Sequence, residues 1–187
     1  STENFVAMLS NGPCGDVNNI DFHGKRAPRQ PFEQIRIVAA KVADASWRAS
    51  RGIGEYHSDA PVAMLQREVP LDWRKSSQEL VERAKKILAM SKEEQAKLPR
   101  LATNYAQRTL SQEKRVGKAD CLVQAIRIGD QAIVSFPFET FVETGLEIKK
   151  KSPFKHTFVI ELANGSYGYL PTPKHHELGG YETWLGT

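Results

Sequence analysis

Two runs of apolar and β-branched residues, separated by a two-residue turn, constrain the fold of this chain more than any other feature. The runs are Cys121–Ile128 and Gln131–Phe136, and Gly129 and Asp130 lie between them. Such a connection favours a β-hairpin, because glycine readily adopts the positive φ angles that tight hairpin turns require. The sequence therefore predicts an antiparallel pair of strands in the second half of the chain.

The remaining pattern alternates irregularly between helix and strand. Intervals of three and four between apolar residues predict four helices, at 31–51, 76–90, 101–116 and 139–150. Apolar runs predict further strands at 5–9, at 62–71 with a shift of register, and at 156–162. One clear hairpin within this order favours an α/β fold, with a mixed sheet and helices packed on its faces.

Composition and charge exclude several classes of protein. A chain of 187 residues with 40% hydrophobic residues is expected to form a single domain, residues 1–187. The net charge of +4 is small, and the basic run Lys149–Lys151 closes a predicted helix, so no nucleic-acid partner is expected. Since no apolar run approaches the roughly 18 residues that cross a bilayer, no transmembrane segment is expected either.

Other features leave alternatives open. Cys14 and Cys121 match no metal or redox spacing, and they either pair or stay free. The chain has no initiator methionine and both of its ends are abrupt. We therefore expect it to be a fragment of a larger catalytic domain.

Three segments carry residues suited to chemistry. Glu139 follows a predicted strand, where it is either an acidic residue of a first helical turn or a metal ligand or general base. Tyr169 and Tyr181 lie in a glycine-rich tail, which is either an aromatic surface loop or a backbone that approaches a ligand closely. The glycine-rich turn around Gly15 and Asp16 either forms Asx turns or presents N–H groups to an oxyanion.

Taken in this order, the three segments resemble the neutral/alkaline non-lysosomal ceramidase family, and its bacterial ceramidase-like members in particular. The resemblance covers most of the chain loosely and is weaker between residues 31 and 118. It is specific in Ile128–Val134 followed by Pro137-x-Glu139, and in Gly168-Tyr169 through Gly180-Tyr181-Glu182.

The resemblance implies a zinc-dependent hydrolase of N-acyl amide (ceramide-like) bonds, whose substrate would be a small-molecule or lipid amide. Glu139 and Tyr169 would be two of the zinc ligands, and Tyr181 would stabilise the oxyanion. Gly15 and Asp16 would bind the substrate. Asn18 stands where the family has a serine; an amide cannot become a nucleophile, so it would act as a hydrogen-bond donor.

The resemblance also implies what lies beyond this chain. The family holds zinc with two further histidines from an upstream part of the domain, so a missing N-terminal part of the same domain is the expected partner. The five histidines here show no His-x-His spacing. A secreted or periplasmic location follows from the family. The alternative is a non-catalytic binding or structural module that keeps the fold, an interpretation favoured by Asn18 and by the absent histidine pair.

Overall fold

The computed structural model describes residues 6–24 and 28–184. Contacts divide the chain into two compact units. One comprises the residues up to Val17 together with those from Val62 onward, and the other is Asn18–Pro61. The second unit contains helix α1 (Glu33–Arg51), none of whose residues is buried. That residues 1–187 form a single domain within a larger catalytic domain stays a prediction.

The first unit contains six strands and five α-helices among its described residues. The strands are β1 (Val62–Asp72), β2 (Lys118–Ile128), β3 (Gln131–Ser135), β4 (Glu139–Thr140), β5 (His156–Ile160) and β6 (Tyr169–Leu170). The helices are α2 (Gln78–Ala89), α3 (Lys92–Gln95), α4 (Ala102–Glu113), α5 (Val142–Lys151) and α6 (Pro173–Leu178), followed by a 3-10 helix at Tyr181–Thr183.

The main sheet has the order β1-β2-β3-β5 and is mixed. β1, β2 and β3 pair antiparallel, whereas β3 and β5 pair parallel, with α5 in the connection. The predicted hairpin is confirmed: Ile128 pairs with Gln131 across a turn in which Gly129 has φ 59°. Helix α5 packs on β5, and α2 packs on α4. The predicted α/β class with a mixed sheet is therefore confirmed.

The core of the first unit lies where β2, β5 and the segment after β3 meet. Its buried residues are Ala119, Cys121, Phe136, Phe138 and Val159. β1 contributes little to this core, because it is an edge strand and all of its residues except Val69 are exposed. Among the helices of the described residues, none has the length and apolar character that crossing a membrane requires.

The structure corrects several predicted boundaries. Residues 6–9 form no strand, and Phe5 lies outside the described residues. The register of β1 against β2 is continuous from Val62 to Asp72, so the predicted shift is wrong. The helix predicted to begin at Glu139 begins at Val142, because the backbone at Glu139 pairs with β6. The short elements α3, β6 and α6 were not predicted, since they are too brief to show a periodicity.

Candidate functional site

The two predicted zinc ligands are brought together by a small second sheet. β4 and β6 run parallel, and Glu139 is the direct partner of Tyr169. The N–H of Glu139 donates a hydrogen bond to the carbonyl of Gly168 at 3.0 Å. Neighbouring strands lie about 4.8 Å apart, and paired residues project to the same face of a sheet. The side chains of Glu139 and Tyr169 therefore leave the sheet side by side.

Tyr181 joins this pair through its hydroxyl group. The hydroxyl oxygens of Tyr169 and Tyr181 are 3.4 Å apart, and their rings meet edge to face with centroids separated by 5.7 Å. Arg74 holds the 3-10 helix that carries Tyr181, because its guanidinium donates a hydrogen bond to the carbonyl of Thr183 at 2.7 Å. The structure thus groups Tyr181 with Tyr169.

The electrostatic surroundings of Tyr169 keep its phenol protonated. The hydrogen bond with Tyr181 raises the pKa of Tyr169 well above its ordinary value, and burial and the negative charge of Glu139 raise it further. At neutral pH Tyr169 consequently offers a neutral hydroxyl group.

A cleft of about 220 Å³ opens beside Tyr169. Its apolar walls come mainly from the aromatic side chains Trp73, Phe138, Tyr167 and Trp184. Its polar walls come from Asp72, Arg74, Gln112, His176 and Glu182. The guanidinium of Arg115 lies 4.1 Å from the ring centroid of Trp73, which fixes one wall by a cation–π contact. Of the predicted metal ligands, Tyr169 lines this cleft and Glu139 does not.

The glycine-rich turn predicted to bind substrate packs directly on β4. Gly15 is buried, and its N–H donates to the carbonyl of Thr140 at 2.8 Å. A Cβ atom at Gly15 would lie 2.6 Å from the carbonyl oxygen of Glu139, which is closer than any side chain tolerates. Glycine is therefore required here for a close approach of two backbones. With this N–H engaged, a direct role of Gly15 in substrate binding stays a prediction.

Asp16 lies at the start of α5, beside Glu143 and His175. Its carboxylate accepts a hydrogen bond from the N–H of Val142 at 2.9 Å, and ligand atoms of these three side chains lie within 4.8 Å of one another. Such a group can hold a cation. The helix N-terminus, however, already accounts for both carboxylates, since N–H groups and the helix dipole favour negative charge there. The substrate-binding role of Asp16 stays a prediction.

A buried carboxylate, Glu161, follows β5 and connects the turn to β4. Glu161 is only 3% exposed, and its oxygens accept hydrogen bonds from the N–H groups of Thr140 and Cys14 and from their side chains. Burial, together with the hydrogen bond to Glu161, raises the pKa of Cys14 to about 12. Sequence reasoning missed Glu161, because a single acidic residue at the end of a strand gives no sign of burial.

The remaining candidate residues are Asn18, two histidines and two cysteines. Asn18 belongs to the second unit and is exposed, so its catalytic role stays a prediction. His175 and His176 lie in α6. The Nδ1 atom of His175 bonds to the hydroxyl of Thr172 at 2.7 Å, and His176 lines the cleft. Cys14 and Cys121 are free thiols.

Comparison with known proteins adds no relative. No protein-family model, no curated protein and no solved structure matches the chain. The resemblance to ceramidases stays a prediction that depends on the motifs quoted above.

Proposed function

We propose that this chain carries part of the site of a zinc-dependent hydrolase that cleaves N-acyl amide (ceramide-like) bonds in a small-molecule or lipid substrate. The observation that carries the proposal is the direct pairing of Glu139 with Tyr169 on adjacent parallel strands. The motifs single out these two residues for zinc, and the fold places them opposite each other. The exported location, secreted or periplasmic, belongs to the same proposal.

The donor atoms suit zinc. A carboxylate oxygen is an ordinary zinc ligand, and a phenol oxygen becomes one when it loses its proton. The negative charge of Glu139 is one cause of the raised pKa of Tyr169, and a divalent cation between the two oxygens would reverse that effect. Since catalytic zinc normally has three or four protein ligands, we propose that histidines from a preceding part of the same domain complete the set.

The chain's own residues would then position and polarise the substrate. Zinc, when bound, would supply a water with a pKa of about 7 and would polarise the amide carbonyl. The Tyr181 hydroxyl, next to Tyr169, would donate a hydrogen bond to the amide oxygen as negative charge develops on it. The Asn18 side chain would donate a hydrogen bond in place of the family's serine, so no covalent acyl intermediate forms there.

The cleft supports a substrate with an apolar portion. Its aromatic lining, which includes Trp73 and Tyr167, would contact hydrocarbon and exclude water, and its polar lining includes Glu182 and His176. Tyr169 lines the cleft, so a substrate in it would contact the proposed zinc ligand. Asp16, at the start of α5, would help to orient the polar end of the substrate.

A second candidate function is a non-catalytic binding module. Among the His, Cys, Asp and Glu side chains of residues 6–24 and 28–184, the group suited to a cation consists of Asp16, Glu143 and His175 and does not include Glu139. If the histidines that the catalytic proposal requires are absent, the cleft would bind a ligand without hydrolysing it. The two candidates differ in whether Glu139 matters for metal binding.

Zinc titration of the full-length protein tests the proposal, with hydrolysis of a fluorescent N-acyl amino alcohol as a second readout. We expect Glu139→Ala and Tyr169→Phe to lower zinc affinity at least tenfold and to abolish hydrolysis. Glu55→Ala and Tyr56→Phe are matched controls, because both residues are exposed in the second unit, and they should leave both readouts unchanged. Undiminished zinc binding and hydrolysis in the two site variants would refute the proposal.

A further inference from the structure

We propose that Glu161 is a positioning residue, which holds Glu139 opposite Tyr169 by bonding β4 and the glycine-rich turn at the same time. This inference rests on the proposed function of the Glu139–Tyr169 pair. It assigns a role to a side chain that the motifs do not include and that does not line the cleft.

The contacts of Glu161 account for both of its oxygens. One oxygen accepts a hydrogen bond from the N–H of Thr140 at 2.7 Å and another from the Thr140 hydroxyl. The second oxygen accepts bonds from the N–H and the thiol of Cys14, both at 3.1 Å. The N–H of Glu161 in turn donates to the carbonyl of Asn11 at 2.9 Å. One residue thereby joins the end of β5, β4 and the turn at residues 11–15.

These bonds fix the backbone of β4 from both sides. The N–H of Thr140 is held by Glu161, and the carbonyl of Thr140 is held by the N–H of Gly15 at 2.8 Å. The residue before Thr140 is Glu139, whose own N–H is bonded to Gly168. β4 consists of only two residues, so a strand this short has few ladder bonds of its own to keep it in place. Its register against β6 therefore depends on these outside contacts.

The burial of the Glu161 carboxylate indicates that its position depends on the donors around it. A carboxylate that is 3% exposed is costly to bury unless donors surround it, and Glu161 has four. An apolar residue of similar volume would leave the N–H groups of Thr140 and Cys14 without this acceptor, which is costly for a buried donor. What an apolar residue cannot supply is two oxygens that orient two separate backbone segments. The protonated thiol of Cys14, whose pKa is raised to about 12, completes the set of donors at neutral pH.

The test is Glu161→Gln in the full-length protein. Glutamine keeps the shape, but it has one acceptor oxygen and an NH₂ group, so one of the two donor pairs would face another donor. We expect zinc affinity to fall at least tenfold. A role limited to stability would lower the unfolding midpoint and leave the zinc affinity of the folded protein unchanged.

Two milder variants keep the test decisive if Glu161→Gln does not fold. Thr140→Val and Cys14→Ala each remove one side-chain donor. Each retains the backbone N–H that donates a hydrogen bond to Glu161. We expect each to lower zinc affinity several-fold. Parental zinc affinity in both variants, or in folded Glu161→Gln, would overturn the positioning role.

A parallel measurement on Glu139→Ala separates the two proposals. If Glu139→Ala loses zinc and Glu161→Gln does not, only the role of Glu161 fails. If Glu139→Ala also binds zinc like the parent, the proposed function itself fails.

Discussion

Replacing Gly15 with alanine tests the contact between the glycine-rich turn and β4. The new Cβ atom would lie 2.6 Å from the carbonyl oxygen of Glu139 and 2.9 Å from that of Thr140. Both neighbours are backbone atoms, so no flexible side chain can move aside. The turn has to retreat from β4, and the hydrogen bond from Gly15 to Thr140 is lost or lengthened.

Two contributions determine how far Gly15→Ala lowers the free energy of unfolding. Losing one backbone hydrogen bond costs about 0.5–1.5 kcal/mol. Forcing an extra methyl group into a close-packed contact costs about 1–3 kcal/mol. Together these lower the free energy of unfolding by about 1.5–4.5 kcal/mol. For a protein of this size, that corresponds to a fall in the melting temperature of about 3–18 °C.

Urea denaturation followed by circular dichroism measures this change. Gly54→Ala is a matched control, because no atom lies within 4 Å of its ideal Cβ position and its φ is not positive. The control should change stability by less than about 1 kcal/mol, in the stabilising direction. A Gly15→Ala protein within about 0.5 kcal/mol of the parent would refute the reasoning about the close approach.

Three further predictions concern single side chains. Tyr181→Phe should lower the pKa of Tyr169 toward its ordinary value, because the hydrogen bond between them is the largest cause of the shift; NMR titration showing no change would contradict this. The pKa of Cys14 is about 12 in the folded protein and about 8.5 when unfolded, so its contribution to stability is full below about pH 8.5 and is lost as the pH rises toward 12. The melting temperature of the parent should therefore fall more steeply above pH 8.5 than that of Cys14→Ala, and parallel curves would argue against it. Ser77→Ala should cost about 1 kcal/mol in urea denaturation, because the Ser77 hydroxyl caps α2 at the N–H of Leu80, whereas Ser77→Thr should retain most of that stability.

The sequence predicted those elements whose signals are local. Gly129 and Asp130 marked the hairpin because a tight turn needs a residue with positive φ, and Gly129 has one. The intervals of three and four between apolar residues predict a helix at 76–90, and the structure has one at Gln78–Ala89. Glu139 lies in a strand and not in the predicted helix, because an acidic residue after a strand is equally compatible with a helix start and with a further strand. The strand conformation of Glu139 comes from its pairing with Tyr169, a residue distant in the sequence.

The candidate site was predictable only in part, for the same reason. The motif resemblance predicts Glu139, Tyr169 and Tyr181 as site residues. The structure places Tyr169 next to each of the other two. Glu161 carried no such signal. Its importance comes from long-range contacts with Cys14 and Thr140, which no periodicity or spacing encodes.

The central claim is that the carboxylate of Glu139 and the phenol oxygen of Tyr169 meet at one cation. Anomalous scattering at the zinc absorption edge, from crystals of the full-length protein grown with zinc, tests it most directly. We predict a zinc peak about 2.0–2.2 Å from an oxygen of each side chain. A peak elsewhere, such as between Asp16, Glu143 and His175, with none between Glu139 and Tyr169, would contradict the claim.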